Sequence, residues 1–349
     1  MSKFYELSIK EVKQETPHAV SIEFNIPDDL KEIFSFKAGQ YLTLKHSIDE
    51  IEFRRSYSIW SSPKSARIIV GIKRVSNGIF SVFANKKLKS DDILEVMPPQ
   101  GKFILDPVLN ASKNYVAFAA GSGITPVLSI VQTVLEQEPK STFLLVYGNK
   151  SIKETMFYNN LIELQKEYSE RFNIEFIFSQ IQEKNAPFGR IDKSLVNFFL
   201  KKKYKDKIFH EFYLCGPEPM IKVVSSTLKD NGVDDSQISY ELFTTSEKEL
   251  PIENLDGNTL LTVTVDDETQ SFTMPQSKTV LEAVLEKDID APYSCQGGIC
   301  ATCIARIKEG KAVMRKNEIL TDEEIAEDFI LTCQAQPTTP TLVIDYDDV

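Results

Sequence analysis

The chain has 349 residues, 42% of them hydrophobic and 26% charged, and carries a net charge of −11 at pH 7. That length supports two or three domains with their own cores, and the composition is that of an ordinary soluble globular protein. No apolar run is long enough to cross a membrane, Met1-Ser-Lys-Phe-Tyr-Glu has no apolar signal stretch, and a negative balance argues against nucleic-acid binding, so a cytoplasmic location is expected. The charge is unevenly spread: Ile252–Val349 holds 19 acidic and 7 basic residues, a net of −12, while the other 251 residues sum to +1. An acidic end of this kind suits transient docking on a positively charged partner, and solubility alone would account for it equally well.

Residues 1–107 read as short strands, Phe4–Val12, Ala19–Ile26, Tyr41–Lys45, Ile51–Ile59, Arg67–Val75 and Ile93–Met97, separated by turn residues such as Pro27-Asp28-Asp29 and Asn77-Gly78. That spacing predicts a small antiparallel β-barrel. Within it, alternation along Arg54-Arg55-Ser56-Tyr57-Ser58-Ile59 puts Arg55 and Tyr57 on one face and Ser56 and Ser58 on the other. A guanidinium fork suits a phosphate, and a tyrosine ring offers a stacking surface. Taken alone, the same pattern describes a half-exposed strand. Ile72-Lys73-Arg74-Val75 and then Gly78-Ile79-Phe80-Ser81, which opens a helix to about Lys87, add backbone N–H groups able to hold a pyrophosphate.

Together these motifs resemble the flavin-binding barrel of the ferredoxin–NADP reductase superfamily, whose signature is R-x-Y-S followed by G-x-x-S. The resemblance implies a bound FAD. Its phosphates would meet Arg55, its isoalloxazine or ribityl chain would lie against Tyr57, and its N5 would be near Ser58. Gly78 and Ser81 would cradle the pyrophosphate, with Ser56, Ile72 and Lys73 completing the flavin contacts.

The pattern changes in residues 108–243. Tyr115-Val-Ala-Phe-Ala-Ala120 is a continuous apolar run, as expected of a strand buried on both faces, and Gly121-Ser-Gly-Ile-Thr-Pro126 leads into a helix marked by Val127, Ile130, Val131, Val134 and Leu135. Strand, glycine turn and helix form a phosphate cradle. The turn is not G-x-G-x-x-G, so the general dinucleotide fingerprint does not apply. Further strands are predicted at Thr142–Tyr147, Ile174–Phe178, Phe209–Leu214 and Ile238–Leu242, with a helix through Leu161–Tyr168 and another opening at Pro217 and Pro219 and ending near Gly232. This alternation predicts an α/β domain with a parallel sheet.

G-S-G-I-T-P, Tyr147-Gly148-Asn149 and Cys215-Gly-Pro-Glu-Pro-Met220 again resemble that superfamily, here its nicotinamide domain. The resemblance implies that Gly121, Gly123, Thr125 and Pro126 bind the NAD(P)H pyrophosphate, and that Cys215, Gly216 and Pro217 lie beside the nicotinamide. Ser58 and Cys215 would then flank the site of hydride transfer, Cys215 as a steric and polarising neighbour rather than a nucleophile. Asn149 and Lys150 complete the nicotinamide set; Lys150 stands where relatives often carry Arg and favours NADPH over NADH. Phe243 is a candidate flavin cover, with core packing nearly equal as a reading. His18, His46 and His210 show no catalytic spacing.

Residues 244–258 are polar and unpatterned and read as a linker. In residues 259–349, Leu260–Val265 and Gln270–Met274 read as a hairpin, Thr279 with Glu282 and Thr321 with Glu324 as capping boxes, and Ala301–Ile307 and Leu342–Tyr346 as strands. Between them lies Cys295-Gln-Gly-Gly-Ile-Cys300-Ala-Thr-Cys303, with Cys333 further on, four of the chain's five cysteines. The spacing C-x4-C-x2-C followed by a distant Cys is that of plant-type [2Fe–2S] ligands. A structural zinc site usually shows two C-x2-C pairs, and a disulfide framework suits short secreted chains, so both fit less well. Gly297, Gly298 and Ala301 are small enough to let backbone N–H groups approach the sulfurs.

The cysteine motif, Glu309-Gly310, Met314, Asn317 and Leu331-Thr-Cys333-Gln-Ala-Gln-Pro337 resemble the reductase subunits of phenylacetyl-CoA epoxidases, over essentially the whole chain. The resemblance implies a β-grasp ferredoxin domain of α+β class. It further implies a relay from NADPH (or NADH) through FAD and the [2Fe–2S] cluster to an oxygenase or hydroxylase component. A Rieske-type hydroxylase or a fatty-acid desaturase as acceptor, or a redox sensor without turnover, are the other readings.

Overall fold

The computed structural model describes residues 3–243 and 257–349; the expected linker lies, as far as residue 256, outside the described residues. The chain divides into two compact units, the first built mainly from residues 5–243 and the second from the C-terminal part. No helix among the described residues is long and apolar enough to cross a membrane.

The first unit opens with β1 (Tyr5–Thr16), β2 (Ala19–Phe24), β3 (Tyr41–Ile48), β4 (Ile51–Ser58), β5 (Ile68–Lys73), helix α1 (Ile79–Lys86) and β6 (Ile93–Val96). Their order in the antiparallel sheet is β4-β3-β6-β1-β2-β5. An Ile59–Val70 bridge links the strand ends beyond β4 and in β5, as barrel closure requires. Leu7, Ile9, Ile22, Leu42, Val70 and Ile72 fill the interior, supplied by alternate positions of their strands.

The chain continues as β7 (Asn114–Ala120), α2 (Ile124–Gln137), β8 (Thr142–Asn149), α3 (Tyr158–Glu167), β9 (Phe172–Phe178), α4 (Lys193–Phe198), β10 (Glu211–Cys215), α5 (Glu218–Asp230) and β11 (Ile238–Glu241). The sheet is parallel, in the order β11-β10-β7-β8-β9. The order reverses between β7 and β10, and open α/β sheets bind ligands in the crevice beyond the carboxyl ends of such strands. α4, which runs into a π-helical turn over Phe199–Lys203, was not expected: Lys201-Lys202-Lys203 breaks the apolar period, and the Asp192 side chain, which accepts from the Leu195 N–H at 2.8 Å, starts the helix instead.

The second unit comprises β12 (Asn258–Val265), β13 (Glu268–Pro275), α6 (Val280–Leu285), β14 (Ile304–Met314), α7 (Asp322–Ala326), β15 (Phe329–Leu331) and β16 (Ala335–Asp345), in the order β13-β12-β16-β14-β15. Both capping boxes form: Thr279 N–H to Glu282 Oε2 is 2.8 Å and Thr321 N–H to Glu324 Oε2 is 2.9 Å. Two strands are longer than their sequence suggests. β14 hides its alternation at Glu309-Gly310, where a register shift and the φ of +88° at Gly310 mark a bulge. β16 contains Pro337 and Pro340, which normally argue against a strand. β12 pairs only with Thr341–Asp345, so Pro337 has β14 as its sole ladder partner, and Pro340 falls in the register shift between Pro337 and Leu342, paired with neither neighbour.

Candidate cofactor sites

The reversal of strand order between β7 and β10 sets the crevice where a nicotinamide cofactor is expected. β7 delivers Gly121-Ser122-Gly123, with Gly121 at φ +56°, and β10 delivers Cys215-Gly216 beside it. The approach is close: a Cβ at Gly123 would run into the Cys215 carbonyl, so only glycine lets the two strand ends meet. The Thr125 hydroxyl donates to the Ser122 carbonyl at 2.9 Å and the Tyr147 hydroxyl to the Gly121 carbonyl at 2.9 Å. Thr125 and Pro126 are buried in the first turn of α2; Thr125 shapes the turn, and the ligand-facing surface is backbone.

Four further groups converge there. Lys73, at the end of β5, brings its ammonium to 3.5 Å from where a Cβ of Gly121 would stand. Burial lowers its pKa, against the pull of Glu154. Asn149, at the end of β8, is 8% exposed, and within the described residues its amide makes no hydrogen bond of normal length and angle, with only the Tyr147 hydroxyl as a loose polar neighbour. A buried, unpaired amide of this kind is costly unless something outside the chain satisfies it. Lys150 beside it is exposed, and so is Pro217, which follows Gly216 at the start of α5.

Sequence reasoning singled out Phe243 but passed over Glu241. β11 pairs with β10 so that Cys215 faces Glu241, and the Ser58 hydroxyl donates to Glu241 Oε2 at 3.2 Å. The residue as a whole is only half-buried, yet its carboxyl end is enclosed. Burial raises its pKa to about 8, against the Ser58 hydrogen bond. Cys215 is fully buried, and burial first, then the Glu241 charge, pushes its thiol well above the ordinary range. A thiol so buried stays protonated and packs rather than acting as a nucleophile. An acid on a short strand leaving an apolar sheet was the available signal for Glu241. Phe243 packs partly buried against the α2 core.

On the barrel side, Tyr57 lies against Phe80 of α1, ring centroids 5.8 Å apart, and Arg55 is exposed, with Nη1 donating to the Arg54 carbonyl at 2.7 Å. Ser56 is half-buried and Ser58 buried. α1 starts at Gly78 without a side-chain cap, which leaves its first N–H groups available to an anion. A Cβ at Gly78 would stand 2.6 Å from Ser81 Oγ, and that hydroxyl accepts from the Val75 N–H at 3.1 Å. Ile72 is fully buried in the barrel core, paired with Val20 of β2, and its carbonyl accepts from Asn85 Nδ2 at 3.1 Å.

The cysteine loop joins α6 to β14. Gln296 and Ala301 have left-handed φ of +53° and +55°, and Gly298 has +73°. These turns aim backbone donors inward: the Gly297 N–H reaches Cys295 Sγ at 3.3 Å. A hydrogen bond from the Cys300 thiol, helped by the N–H groups of Gly297, Ile299 and Cys300, lowers the Cys295 pKa to about 6 against burial. The thiols form two contacting pairs, Cys295 with Cys300 and Cys303 with Cys333. Among the described residues no group of three or more His, Cys, Asp or Glu side chains converges as one metal ion needs. Two pairs of thiolates are what a two-iron cluster needs, each iron taking two, and all four are free thiols. The loop is braced from outside by Glu318 N–H to Gly298 carbonyl at 3.1 Å and by Gln334 Nε2 to Gln296 carbonyl at 2.9 Å.

Comparison with known proteins agrees with this division of labour. Family models for an oxidoreductase FAD-binding domain, an oxidoreductase NAD-binding domain and a 2Fe-2S iron-sulfur cluster binding domain match residues 6–104, 118–226 and 263–338. A 1,2-phenylacetyl-CoA epoxidase subunit from Escherichia coli K12 is 37% identical over 99% of both chains. The ferredoxin reductase component of 3-ketosteroid-9-alpha-monooxygenase from Rhodococcus rhodochrous is 31% identical over 97% of this chain and 96% of its own. Among solved structures, phthalate dioxygenase reductase shares the fold with a TM-score of 0.62 and 23% identity, over 98% of each chain. With these domains in this order and that end-to-end identity, the chain belongs to the family of this 1,2-phenylacetyl-CoA epoxidase subunit, NAD(P)H-dependent oxidoreductases that carry FAD and a [2Fe–2S] cluster.

Proposed function

We propose that this reductase supplies electrons to the oxygenase component of a phenylacetyl-CoA epoxidase, within the cytoplasm, and takes them from NADPH in preference to NADH. The observation that carries the acceptor is the end-to-end 37% identity with the epoxidase subunit, against 31% for the ketosteroid reductase. The cytoplasmic setting rests on five free cysteines, which a reducing compartment keeps as thiols.

When bound, the flavin takes hydride from the nicotinamide and the cluster handles single electrons, chemistry the side chains themselves do not perform. The chain binds and orients. In this reading Arg55 and the α1 N-terminus hold flavin phosphates, and the Gly121–Gly123 turn, with the Lys73 ammonium beside it, holds the nicotinamide pyrophosphate. Asn149 offers its unpaired amide to the nucleotide, while Lys150 attracts a 2′-phosphate. Ser58, Cys215 and Glu241 line the place of hydride transfer, and Cys295, Cys300, Cys303 and Cys333 hold the two irons. The domain limits follow as 1–107, 108–243 and 259–349.

The test is NAD(P)H oxidation by the cofactor-loaded protein. Cytochrome c should be reduced with a higher kcat/KM for NADPH than for NADH, and Lys150→Ala should narrow that ratio. Adding the purified epoxidase oxygenase should make NADPH oxidation depend on phenylacetyl-CoA. Absent cytochrome c reduction would sink the enzyme reading in favour of a sensor. Coupling only to a ketosteroid or Rieske-type oxygenase would move the acceptor to the second reading, which the Rhodococcus relative favours.

A further inference from the structure

Beneath the Cys303–Cys333 pair lies a tyrosine that packing alone does not account for. Arg306 of β14 pairs with Asp345 of β16, and that register carried one residue further sets Tyr346 beside Ala305. On the other side of β14, Ile304 pairs with Leu331. Carried one residue further, this register sets Thr332 beside Cys303, where its N–H and hydroxyl both bond the Cys303 carbonyl, at 3.0 and 2.9 Å. Residues two apart on a strand share a face, and residues opposite one another across an antiparallel pair do as well. That periodicity carries Cys303, Ala305 and Tyr346 to one buried face, and all three belong with Cys333 to a single apolar cluster.

Tyr346 is 5% exposed, and within the described residues its hydroxyl makes no hydrogen bond of normal length and angle, with only the Thr332 hydroxyl as a loose polar neighbour. Thr332 lies next to it, with its own hydroxyl proton committed to Cys303. A phenylalanine would fill the same space without leaving a donor unsatisfied in the core, so the oxygen is the part that calls for a purpose.

We infer that the Tyr346 hydroxyl serves the cluster, donating toward the sulfur shell of the iron held by Cys303 and Cys333 and making the cluster easier to reduce. Reduction adds one negative charge to the cluster. An O–H dipole aimed at that charge in a dry interior stabilises the reduced form more than the oxidised one, and hydrogen bonding to the sulfurs is among the factors that set such potentials. Tyr346 is a positioning residue in this scheme, with no contact to the nicotinamide site. The inference rests on the four cysteines being the cluster ligands, which the iron content and visible spectrum of the wild-type protein test separately.

The experiment is a redox titration of the full-length, cofactor-loaded protein, with the cluster followed by electron paramagnetic resonance and the flavin by absorbance. Tyr346→Phe should keep its iron and its flavin potential while the equilibrium for cluster reduction falls about threefold to tenfold, tenfold being about 59 mV for one electron. Tyr346→Leu, which also removes the ring, should shift the cluster by a similar amount. An unchanged cluster potential in an iron-replete Tyr346→Phe protein overturns the inference. So does a shift in the leucine variant that the phenylalanine variant lacks, because the effect would then belong to packing.

Discussion

The nicotinamide crevice and the cysteine loop are built by opposite means. The loop is local: three of its four thiols fall within Cys295–Cys303, and the donors that lower the Cys295 pKa come from Gly297, Ile299 and Cys300 in the same turn. The crevice is assembled from distant parts of the chain. Ser58 and Lys73 come from the barrel, and Gly121, Asn149, Cys215 and Glu241 from strand ends that the sheet order brings side by side. A local site fails through its ligands, whereas an assembled one fails through the backbone contacts that set its register. Substitutions in the two regions should therefore differ in kind as well as in size.

The largest effect is expected at the loop. Cys300→Ser removes one iron ligand and should abolish the cluster's visible absorption and cytochrome c reduction. That loss lies beyond the roughly 10–100-fold typical of an outer-shell partner. Ferricyanide reduction, which the flavin performs directly, should survive. Loss of both activities together would mean that the two regions do not function separately. Gly123→Ala attacks the crevice instead. Its Cβ meets the Cys215 carbonyl, which is backbone and cannot swing away, so the strand ends must part. Overpacking of this kind costs about 1–3 kcal/mol; thermal unfolding should report it, and NADP+ affinity should fall while the cluster spectrum stays intact. An alanine variant with wild-type stability and affinity would show that the approach of the two strands is not what forms the site.

The same contrast decides what the sequence discloses. Cysteine spacing is a local signal, and both the four thiols and the capping boxes at Thr279 and Thr321 were readable. The glycine turn and Cys215-Gly216-Pro217 were readable as motifs, but their juxtaposition belongs to the order β11-β10-β7-β8-β9, which no single stretch encodes. Glu241 escaped because it gains its meaning only from facing Cys215 across a strand pair and Ser58 across the domain. Ile72 and Thr125 look like ligand residues in sequence, yet their side chains are buried, Ile72 within strand β5 and Thr125 in the first turn of α2. β16 was cut short by its prolines, whose tolerance depends on which neighbour leaves that stretch unpaired.

Glu241→Gln tests the member of the crevice that the sequence hid. The folded-state pKa of Glu241 is raised from 4.5 to about 8, so the folded protein holds a proton there that the unfolded chain releases earlier. Its contribution to stability is complete below about pH 4.5 and is lost as pH rises through about 8. With the residue only half-buried, the full 1.36 kcal/mol per unit is discounted for solvent screening, leaving roughly 1–3 kcal/mol across the window. Denaturant unfolding from pH 5 to 9 should show wild-type stability declining and the glutamine variant flatter by about that amount. Parallel curves would place the carboxyl in solvent, outside the crevice.

The smallest effect asks whether the loop is as self-contained as its geometry implies. α7 is a single short helix whose start is fixed by reciprocal bonds, Thr321 N–H to Glu324 Oε2 at 2.9 Å and Glu324 N–H to Thr321 Oγ1 at 3.2 Å. It leads directly into β15, and β15 into Cys333, the one ligand that comes from outside the turn. Thr321→Ala removes the cap and should cost about 1 kcal/mol, lowering the unfolding temperature of the C-terminal unit by a few degrees. The cluster's spectrum and the rate of cytochrome c reduction should not change, because Thr332 still anchors the Cys333 segment through both of its bonds to the Cys303 carbonyl. If iron were lost in step with the cap, Cys333 would depend on α7 for its position, and the loop would count as an assembled site like the crevice.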